Sequence, residues 1–174
     1  MAPSRFRRGK KKLEKTKTKF KFKSTERFLK ADPRYNNLVI SKLINQVMWQ
    51  GKKIMARKII YGAMDIIKER VKEQEPLEVV LTAINNVKPQ VEVRSKRVGG
   101  ATYQVPMEVN RKRQQTLAIR TILLNAREKK GKPMTERLAA EMIDAFNKQG
   151  ASITWRENTH KMAEANKLFA HFAW

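Results

Sequence analysis

The chain has 174 residues, of which 39 are Lys or Arg and 16 are Asp or Glu, so its formal net charge at pH 7 is +23. Such a charge repels itself in a folded chain and predicts a polyanionic partner, with nucleic acid first and an anionic membrane surface second. No apolar run approaches the roughly 20 residues that a membrane-spanning helix needs. The chain has no Cys, which excludes disulfides and thiolate metal ligands and fits a reducing compartment.

Residues 1–30 form a basic N-terminal segment, with 13 Lys or Arg and only two acids, Glu14 and Glu26. The alternating run "KTKTKFKFK" could be a strand, but two Thr and two Phe on one face cannot offset the repulsion of its lysines or the entropy of ordering. We therefore predict a disordered tail that binds RNA, with Lys10, Lys11 and Lys12 among its phosphate contacts. An organelle presequence is the alternative, although the segment is poor in Ser and in an apolar helical face.

Residues 31–174 are predicted to be mainly α-helical, with six helices and one two-stranded β-hairpin at residues 90–109. The helices are marked by apolar residues at spacings of three and four, from Asn36 onward. Pro76 suits the first turn of the third helix, Asn110 suits a cap for the fourth, and Thr154 with Glu157 has the spacing of a capping box for the sixth. The predicted inward-facing residues are Ile40, Leu43, Ile44, Val47 and Met48; Ala56, Ile59, Ile60, Ala63, Met64 and Ile67; Leu77, Val80, Leu81 and Ile84; Ile119, Ile122, Leu123 and Ala126; Leu138, Met142, Ala145 and Phe146; Met162, Ala165, Phe169 and Phe172.

Side chains outside these stripes receive separate predictions. Trp49 adjoins the apolar face of the first helix and is predicted to be core. The methionines, including Met55 and Met162, are predicted to serve packing. Trp155 is equally suited to stacking on a base and to fastening the start of the last helix.

The hairpin "VEVRSKRVGGATYQVPMEV" spans Val91 to Val109 and has two glycines at its centre. A two-residue turn at Gly99 and Gly100 would pair Val93 with Pro106, which places the valines of the two strands on opposite faces. We therefore predict an odd-length loop or a bulge that brings the valines together. The outer face would then be polar and basic, as an arm entering a nucleic-acid groove requires, whereas a solvated surface hairpin is the plainer alternative.

Catalytic and metal-binding patterns are absent from the sequence. The phosphate-binding and dinucleotide-binding glycine motifs and the G-x-S-x-G motif do not occur. His160 and His171, the only histidines, have no acidic residue at metal-ligand spacing, and we interpret both as polar surface or RNA-contacting groups. We predict no enzyme activity, no cofactor and no metal.

Basic residues of the helical part form two groups without matching acids, near the starts of the second and fourth helices, and a third, mixed group occurs around Trp155. A run of charge is usually a solvated face, but unmatched runs in so basic a chain favour phosphate contact. The side chains of the helical part that are predicted to contact nucleic acid are Lys52, Lys53, Arg57, Arg111, Lys112, Arg113, Arg120, Trp155, Arg156 and Lys161.

Four segments carry a resemblance to a known family: "GKK" at residues 51–53, "VKPQVEVRSKRVGGATYQVPMEV" at 87–109, "RQQTLAIRTIL" at 113–123 and "RENTHKMAEANKLFAHFAW" at 156–174. Over about residues 32–174 the chain resembles small-subunit ribosomal protein seven of the bacterial and organellar type. The resemblance implies a helical bundle with a protruding hairpin that binds the 3′ major domain of small-subunit rRNA, helps start assembly of the subunit head, and contacts neighbouring ribosomal proteins.

The resemblance also implies that the hairpin lies near the exit-site tRNA and the mRNA exit. The hairpin residues expected there are Arg94, Lys96, Arg97, Gly99, Gly100 and Tyr103. The N-terminal segment is about twenty residues longer than is usual in the family, and "FAW" replaces an ending in which Arg or Tyr often precedes the Trp, so contacts at the two ends are not carried over. "RQQTLAIR" is similar to mitochondrial and alphaproteobacterial members, and a mitochondrial ribosome is the first expectation, followed by a bacterial or plastid ribosome. An architectural DNA-binding protein, an RNA-processing enzyme and a peripheral membrane protein are the alternatives.

Overall fold

A computed structural model of the protein describes residues 28–173, so the predictions for Lys10, Lys11 and Lys12 lie outside the described residues. Within this range the prediction of six α-helices and one antiparallel hairpin is confirmed. The elements are α1 (Leu38–Val47), α2 (Lys53–Arg70), α3 (Pro76–Val87), β1 (Val91–Val98), β2 (Ala101–Glu108), α4 (Arg111–Glu128), α5 (Met134–Phe146) and α6 (Ala151–Ala165), followed by a C-terminal 3-10 helix (Lys167–Phe172). None of the helices in residues 28–173 has the length and apolarity needed to span a bilayer.

The helices begin and end where local chemistry requires it. Asn37 caps α1 by accepting a hydrogen bond from the backbone N–H of Val39 at 2.7 Å. Pro76 occupies the first turn of α3, where the missing N–H costs no hydrogen bond. The side-chain amide of Asn86, near the end of α3, donates to the carbonyl oxygens of Ala145 and Phe146 at 3.1 Å and so fastens α3 to the end of α5.

The hydrophobic core lies among α1–α5, and α5 is central because it packs against α2, α3, α4 and α6. The predicted stripes of α1, α2, α4 and α5 are buried except for Met48, Ile59 and Phe146, which are partly buried. In α3 the predicted Leu77 and Leu81 are only partly buried, and Val79, Ala83 and Val87, which were not predicted, are fully buried. This helix packs against α2, α4, α5 and α6, so its buried surface is wider than one stripe.

Four predictions of buried side chains are wrong, because Trp49, Met55, Met162 and Ala165 are exposed. Trp49 has 68% of its surface exposed, because α1 ends at Val47 and the chain turns away from the core. Met55 and Met162 are more than half exposed, at 55% and 53%. In α6 the buried positions are Ser152, Ile153, Thr159 and Ala163, so the inward face is offset from the one predicted, and Ala165 is exposed.

The predicted capping box of α6 is wrong, because the helix begins at Ala151 and Thr154 lies inside it, donating to the Gly150 carbonyl oxygen at 3.2 Å. The cap comes from another helix. Glu141 of α5, whose side chain has 0% exposure, accepts hydrogen bonds from the backbone N–H of Ser152 at 3.2 Å and from its hydroxyl at 2.6 Å. Lys129 pairs with the other carboxylate oxygen at 2.7 Å, so this buried charge joins the end of α4 to the start of α6.

The predicted loop or bulge in the hairpin is also wrong. The strands pair in the register that sets Val93 opposite Pro106 and Val98 opposite Ala101, with a two-residue turn at Gly99 and Gly100. Both glycines have positive φ, +58° and +91°, and this turn geometry matches the twist of paired strands. This register places the charged side chain of Glu92 on the buried inner face of the hairpin. The charge is tolerated there because arginines neutralise it.

Candidate nucleic-acid interface

A basic cavity of about 830 Å³ opens between the segment 28–33, α1, the start of α2 and the start of α4. We call it the basic pocket and define it by its four cationic residues, Lys30, Lys42, Lys53 and Arg57. Among the described residues that line it, Asp32 is the one acid. Its carboxylate already accepts hydrogen bonds from the backbone N–H groups of Arg34 and Tyr35, at 3.1 and 3.3 Å, and from the Tyr61 hydroxyl at 2.8 Å.

The floor of the basic pocket contains an unpaired donor. The Nε atom of Arg57 is buried and has no hydrogen-bond partner among the described residues. A buried donor without a partner costs about 1–3 kcal/mol, so an acceptor that enters the pocket recovers this cost. Gln115 and Thr116 of α4 add polar side chains to the wall. A phosphate oxygen matches this combination of concave shape, excess positive charge and unpaired donor.

The structure brings part of the predicted set together here. Lys53 and Arg57 line the pocket, as the basic start of α2 predicted. Lys30 belongs to the basic segment 1–30 but was not singled out as a contact. Lys42 was not predicted because it is the one charged residue of α1, and it joins the other cations only when α1 packs against α4. Arg111, Lys112 and Arg120 are exposed on α4, and Lys52 is exposed on the other side of the α1–α2 turn.

Some other side chains that were predicted to contact RNA already bind groups of the protein itself. Arg113 donates from Nε to Glu92 at 2.8 Å, and Arg94 pairs with the same carboxylate. Arg156 donates to the carbonyl oxygen of Asn86 at the end of α3. Lys161 is exposed, and Trp155 is half-buried within α6.

The hairpin is held along its inner face instead of standing free. Tyr103 packs against Phe169 and Phe172, with ring centroids 5.2 Å apart in both pairs. Lys96, its cross-strand neighbour, donates to the carbonyl oxygen of Phe172 at 2.9 Å. Gln90 at the base of the hairpin donates from its backbone N–H to Nε2 of His160 at 3.0 Å. Arg97, Gly99 and Gly100, at the tip, are exposed.

The described residues contain no cluster of three or more His, Cys, Asp or Glu that could hold a metal ion. The side chains that line the basic pocket offer ionic and hydrogen-bonding contacts.

Residues 18–167 match the family model described as ribosomal protein S7p/S5e. The chain belongs to this family. It is similar to the small ribosomal subunit protein uS7 of Thermotoga neapolitana, with 55% identity over 87% of this chain and 97% of the relative. The uS7 protein of Thermoanaerobacter sp. is 59% identical over 82% of this chain and 91% of the relative, and that of Dictyoglomus turgidum is 57% identical over 86% and 96%.

The family membership confirms the resemblance on which the sequence analysis ended, and with it the prediction of a ribosomal protein in place of an enzyme. These relatives are bacterial. They give no support to the expectation of a mitochondrial ribosome. The short similarity of "RQQTLAIR" was to alphaproteobacterial as well as mitochondrial members, so it was a weak guide to the compartment.

Proposed function

We propose that this protein is a structural component of the bacterial small ribosomal subunit that binds small-subunit rRNA through the basic pocket. The observation that supports the proposal most directly is the pocket itself, with four cations, one acid that is internally hydrogen-bonded, and the buried unpaired Nε of Arg57. Family membership and bacterial relatives named as small-subunit proteins give the polyanion its identity.

At the finer level, the proposed rRNA target is the 3′ major domain, and the proposed role is to help nucleate assembly of the subunit head beside neighbouring ribosomal proteins. The cations of the pocket are contributed by three different segments, which are residues 28–33, α1 and the start of α2, and α4 closes the wall with uncharged residues. Only a bent or folded backbone can follow such a surface. Recognition by RNA tertiary shape is consistent with this arrangement, because A-form grooves show side chains little sequence.

The hairpin is proposed to lie near the exit-site tRNA and the mRNA exit. Its tip is the part available for such contacts, since Arg97, Gly99 and Gly100 are exposed while Lys96 and Tyr103 face the C-terminal 3-10 helix. This arrangement also disfavours an architectural DNA-binding arm, which would need the whole basic edge of the hairpin for a groove.

The test is equilibrium binding of the full chain to a folded 3′ major-domain rRNA fragment over a salt series, with excess duplex DNA as competitor. We expect tight binding that resists the DNA and that falls with salt as for about six to ten neutralised phosphates. Equal affinity for duplex DNA and the folded fragment would contradict the proposal.

A variant with a shortened hairpin distinguishes the RNA contacts of the hairpin tip from those of the helical body. Deletion of Arg97, Val98, Ala101 and Thr102 removes two cross-strand pairs and leaves Gly99 and Gly100 as the turn between Lys96 and Tyr103. The register and the contacts to the C-terminal 3-10 helix are kept. We expect rRNA affinity within about threefold of the full chain, and a loss of tip-dependent crosslinks to exit-site tRNA in reconstituted subunits.

A further inference from the structure

A second, apolar cavity of about 420 Å³ is lined by the end of α1, the α1–α2 turn and the start of α2, together with residues of α4 and α5. We call it the Trp49 pocket. Its apolar lining comes from Val47, Met48, Trp49, Met55, Ala56, Ile59 and Met134, and its cationic rim consists of Lys52, Arg127 and Arg137. Two features indicate what this cavity binds: the outward position of the Trp49 indole and the positive charge of the rim.

Trp49 is held in an outward position by the turn that joins α1 to α2. The backbone N–H of Lys52 donates to the Trp49 carbonyl oxygen at 3.0 Å, and Gln50 and Gly51 between them have φ of +51° and +72°. The guanidinium of Arg127 lies 5.0 Å from the centroid of the indole, a cation–π contact. The remainder of the ring is open to solvent, as its 68% exposure shows.

The rim carries positive charge that the described part of the chain does not neutralise. Lys52, Arg127 and Arg137 form no ion pair with a carboxylate in residues 28–173. The two arginines donate instead to backbone carbonyls: Arg127 to Val47 at the end of α1, at 3.4 Å, and Arg137 to Arg127 and Lys129 at the end of α4. The Nε of Arg137 is buried and has no hydrogen-bond partner within residues 28–173. An anionic occupant is therefore favoured over a neutral one.

The Trp49 pocket is continuous along the chain with the basic pocket. Lys52 lines the Trp49 pocket and Lys53, the next residue, lines the basic pocket. Adjacent Cα atoms are about 3.8 Å apart, so one polynucleotide strand can contact both lysines. Each nucleotide of such a strand carries a phosphate for the rim and a flat ring for the indole, which is the combination that single-stranded sites use.

We propose that the Trp49 pocket binds one unpaired nucleobase of the rRNA, stacked on the exposed face of Trp49, with its flanking phosphates at Lys52 and the Arg127–Arg137 rim. This inference rests on the proposed function and specifies how the same RNA is held beyond the basic pocket. An acidic protein segment could satisfy the rim but has no requirement for an aromatic stack. The proposal therefore depends on the aromatic character of residue 49.

The experiment compares Trp49→Phe, Trp49→Leu and Trp49→Ala in the full chain, for binding to folded bacterial small-subunit rRNA. Because Trp49 is exposed, circular dichroism and thermal unfolding should be unchanged in all three. We expect Trp49→Phe to bind within about threefold of the parent chain, and Trp49→Leu and Trp49→Ala to bind roughly 5- to 100-fold more weakly, as for the loss of one stacked base. Chemical probing of the RNA should show one unpaired base that the parent chain and Trp49→Phe protect and Trp49→Leu exposes.

The outcomes separate this inference from the function on which it rests. If the parent chain shows no preference for rRNA, the proposed function fails and the inference fails with it. If Lys53→Ala with Arg57→Ala weakens rRNA binding while Trp49→Leu and Trp49→Ala bind as the parent does, the function stands and the nucleobase site is overturned. Normal rRNA binding by Trp49→Ala with loss of a ribosomal protein from reconstituted subunits would overturn it in favour of a protein partner.

Discussion

The basic pocket and the hairpin hold similar numbers of cations but use them differently. In the hairpin and at its base, Arg94, Lys96 and Arg113 are satisfied by Glu92 or by the Phe172 carbonyl oxygen. In the pocket, the cations surround an open volume whose one acid among the described lining residues is already hydrogen-bonded. Positive charge in a sequence therefore indicates a polyanionic partner, whereas the arrangement of neighbouring acceptors determines which cations are available to it.

The largest expected effect comes from removing two cations from each region. Lys53→Ala with Arg57→Ala should weaken rRNA binding roughly 100-fold, taking about 1.5 kcal/mol for each charge-assisted contact. The salt dependence should fall by about two phosphate contacts. The matched pair, Arg94→Ala with Lys96→Ala, should change the dissociation constant less than about fivefold. Equal losses in both pairs, measured by filter binding, would break the comparison between pocket and hairpin.

A second substitution loosens the hairpin's support without touching the pocket. Glu141→Gln should lower the free energy of unfolding by about 2 kcal/mol, because the buried carboxylate caps α6 and neutralises Lys129. Glu157→Gln is the control, since that side chain is exposed and its ion pair is 3.8 Å long, and we expect a change below about 0.5 kcal/mol. Urea unfolding measures both. Hydrogen exchange should increase in α6 and the hairpin, and an equal increase in α1 would contradict this assignment.

The same carboxylate predicts a pH dependence. Burial alone would raise the pKa of Glu141, but hydrogen bonds from Lys129 and Ser152 outweigh it, so that its pKa lies below the ordinary 4.5. The stabilisation is therefore fully present above pH 4.5 and is lost as the pH falls below 4.5 through the folded-state pKa. Unfolding measured from pH 7 to pH 3 should show a steeper decline for the parent chain than for Glu141→Gln. Parallel curves would show that Glu141 does not contribute in this way.

A smaller effect should come from releasing the arginines at the base of the hairpin. Glu92→Gln removes the charge that holds Arg94 and Arg113. Both arginines are half exposed, so we expect a stability loss of only about 1 kcal/mol. The freed cations should strengthen rRNA binding about threefold and add to its salt dependence. A weaker complex would show that Glu92 positions these arginines for RNA.

The smallest effect concerns the turn itself. Gly100→Ala should destabilise the hairpin by about 1 kcal/mol, because its φ of +91° is costly for a residue with a side chain. Open space around the position means that no clash adds to this cost. We expect nuclear magnetic resonance to show hairpin shifts with rRNA affinity unchanged. A large loss of affinity would assign the tip a direct role in rRNA binding.

The sequence predicted the helices and strands better than the contacts that join them. Helical periodicity located α1, α2, α4 and α5 and their buried faces, because a stripe at spacings of three and four depends on local geometry alone. The cap of α6 could not be predicted from the sequence. Its acceptor, Glu141, lies in α5 and takes that role only after α5 and α6 pack. The prediction of a loop or bulge in the hairpin failed for a related reason. Glu92 is acceptable on the inner face only because Arg113 of α4 forms an ion pair with it.

The candidate site shows the same division. Lys53 and Arg57 were found from their sequence neighbours, because unmatched basic residues within two turns of one helix are visible as a group. Lys42 was missed because it has no basic neighbour on α1 and joins the pocket through tertiary packing, whereas Lys30 belongs to the basic segment 1–30 but was not singled out as a contact. Trp49 was assigned to the core from its place beside the α1 stripe, and the signal against this was the Gln50–Gly51 turn that follows it.

The support of the hairpin by the C-terminal 3-10 helix has a consequence for biosynthesis. Every described residue that lines the basic pocket occurs at or before Ile119, whereas His160, Phe169 and Phe172, which hold the hairpin, are translated later. Vectorial synthesis therefore delivers the cations of the basic pocket before the groups that orient the hairpin. A nascent chain interrupted before residue 160 contains all the cations of the pocket but lacks the means to fix the direction of the hairpin.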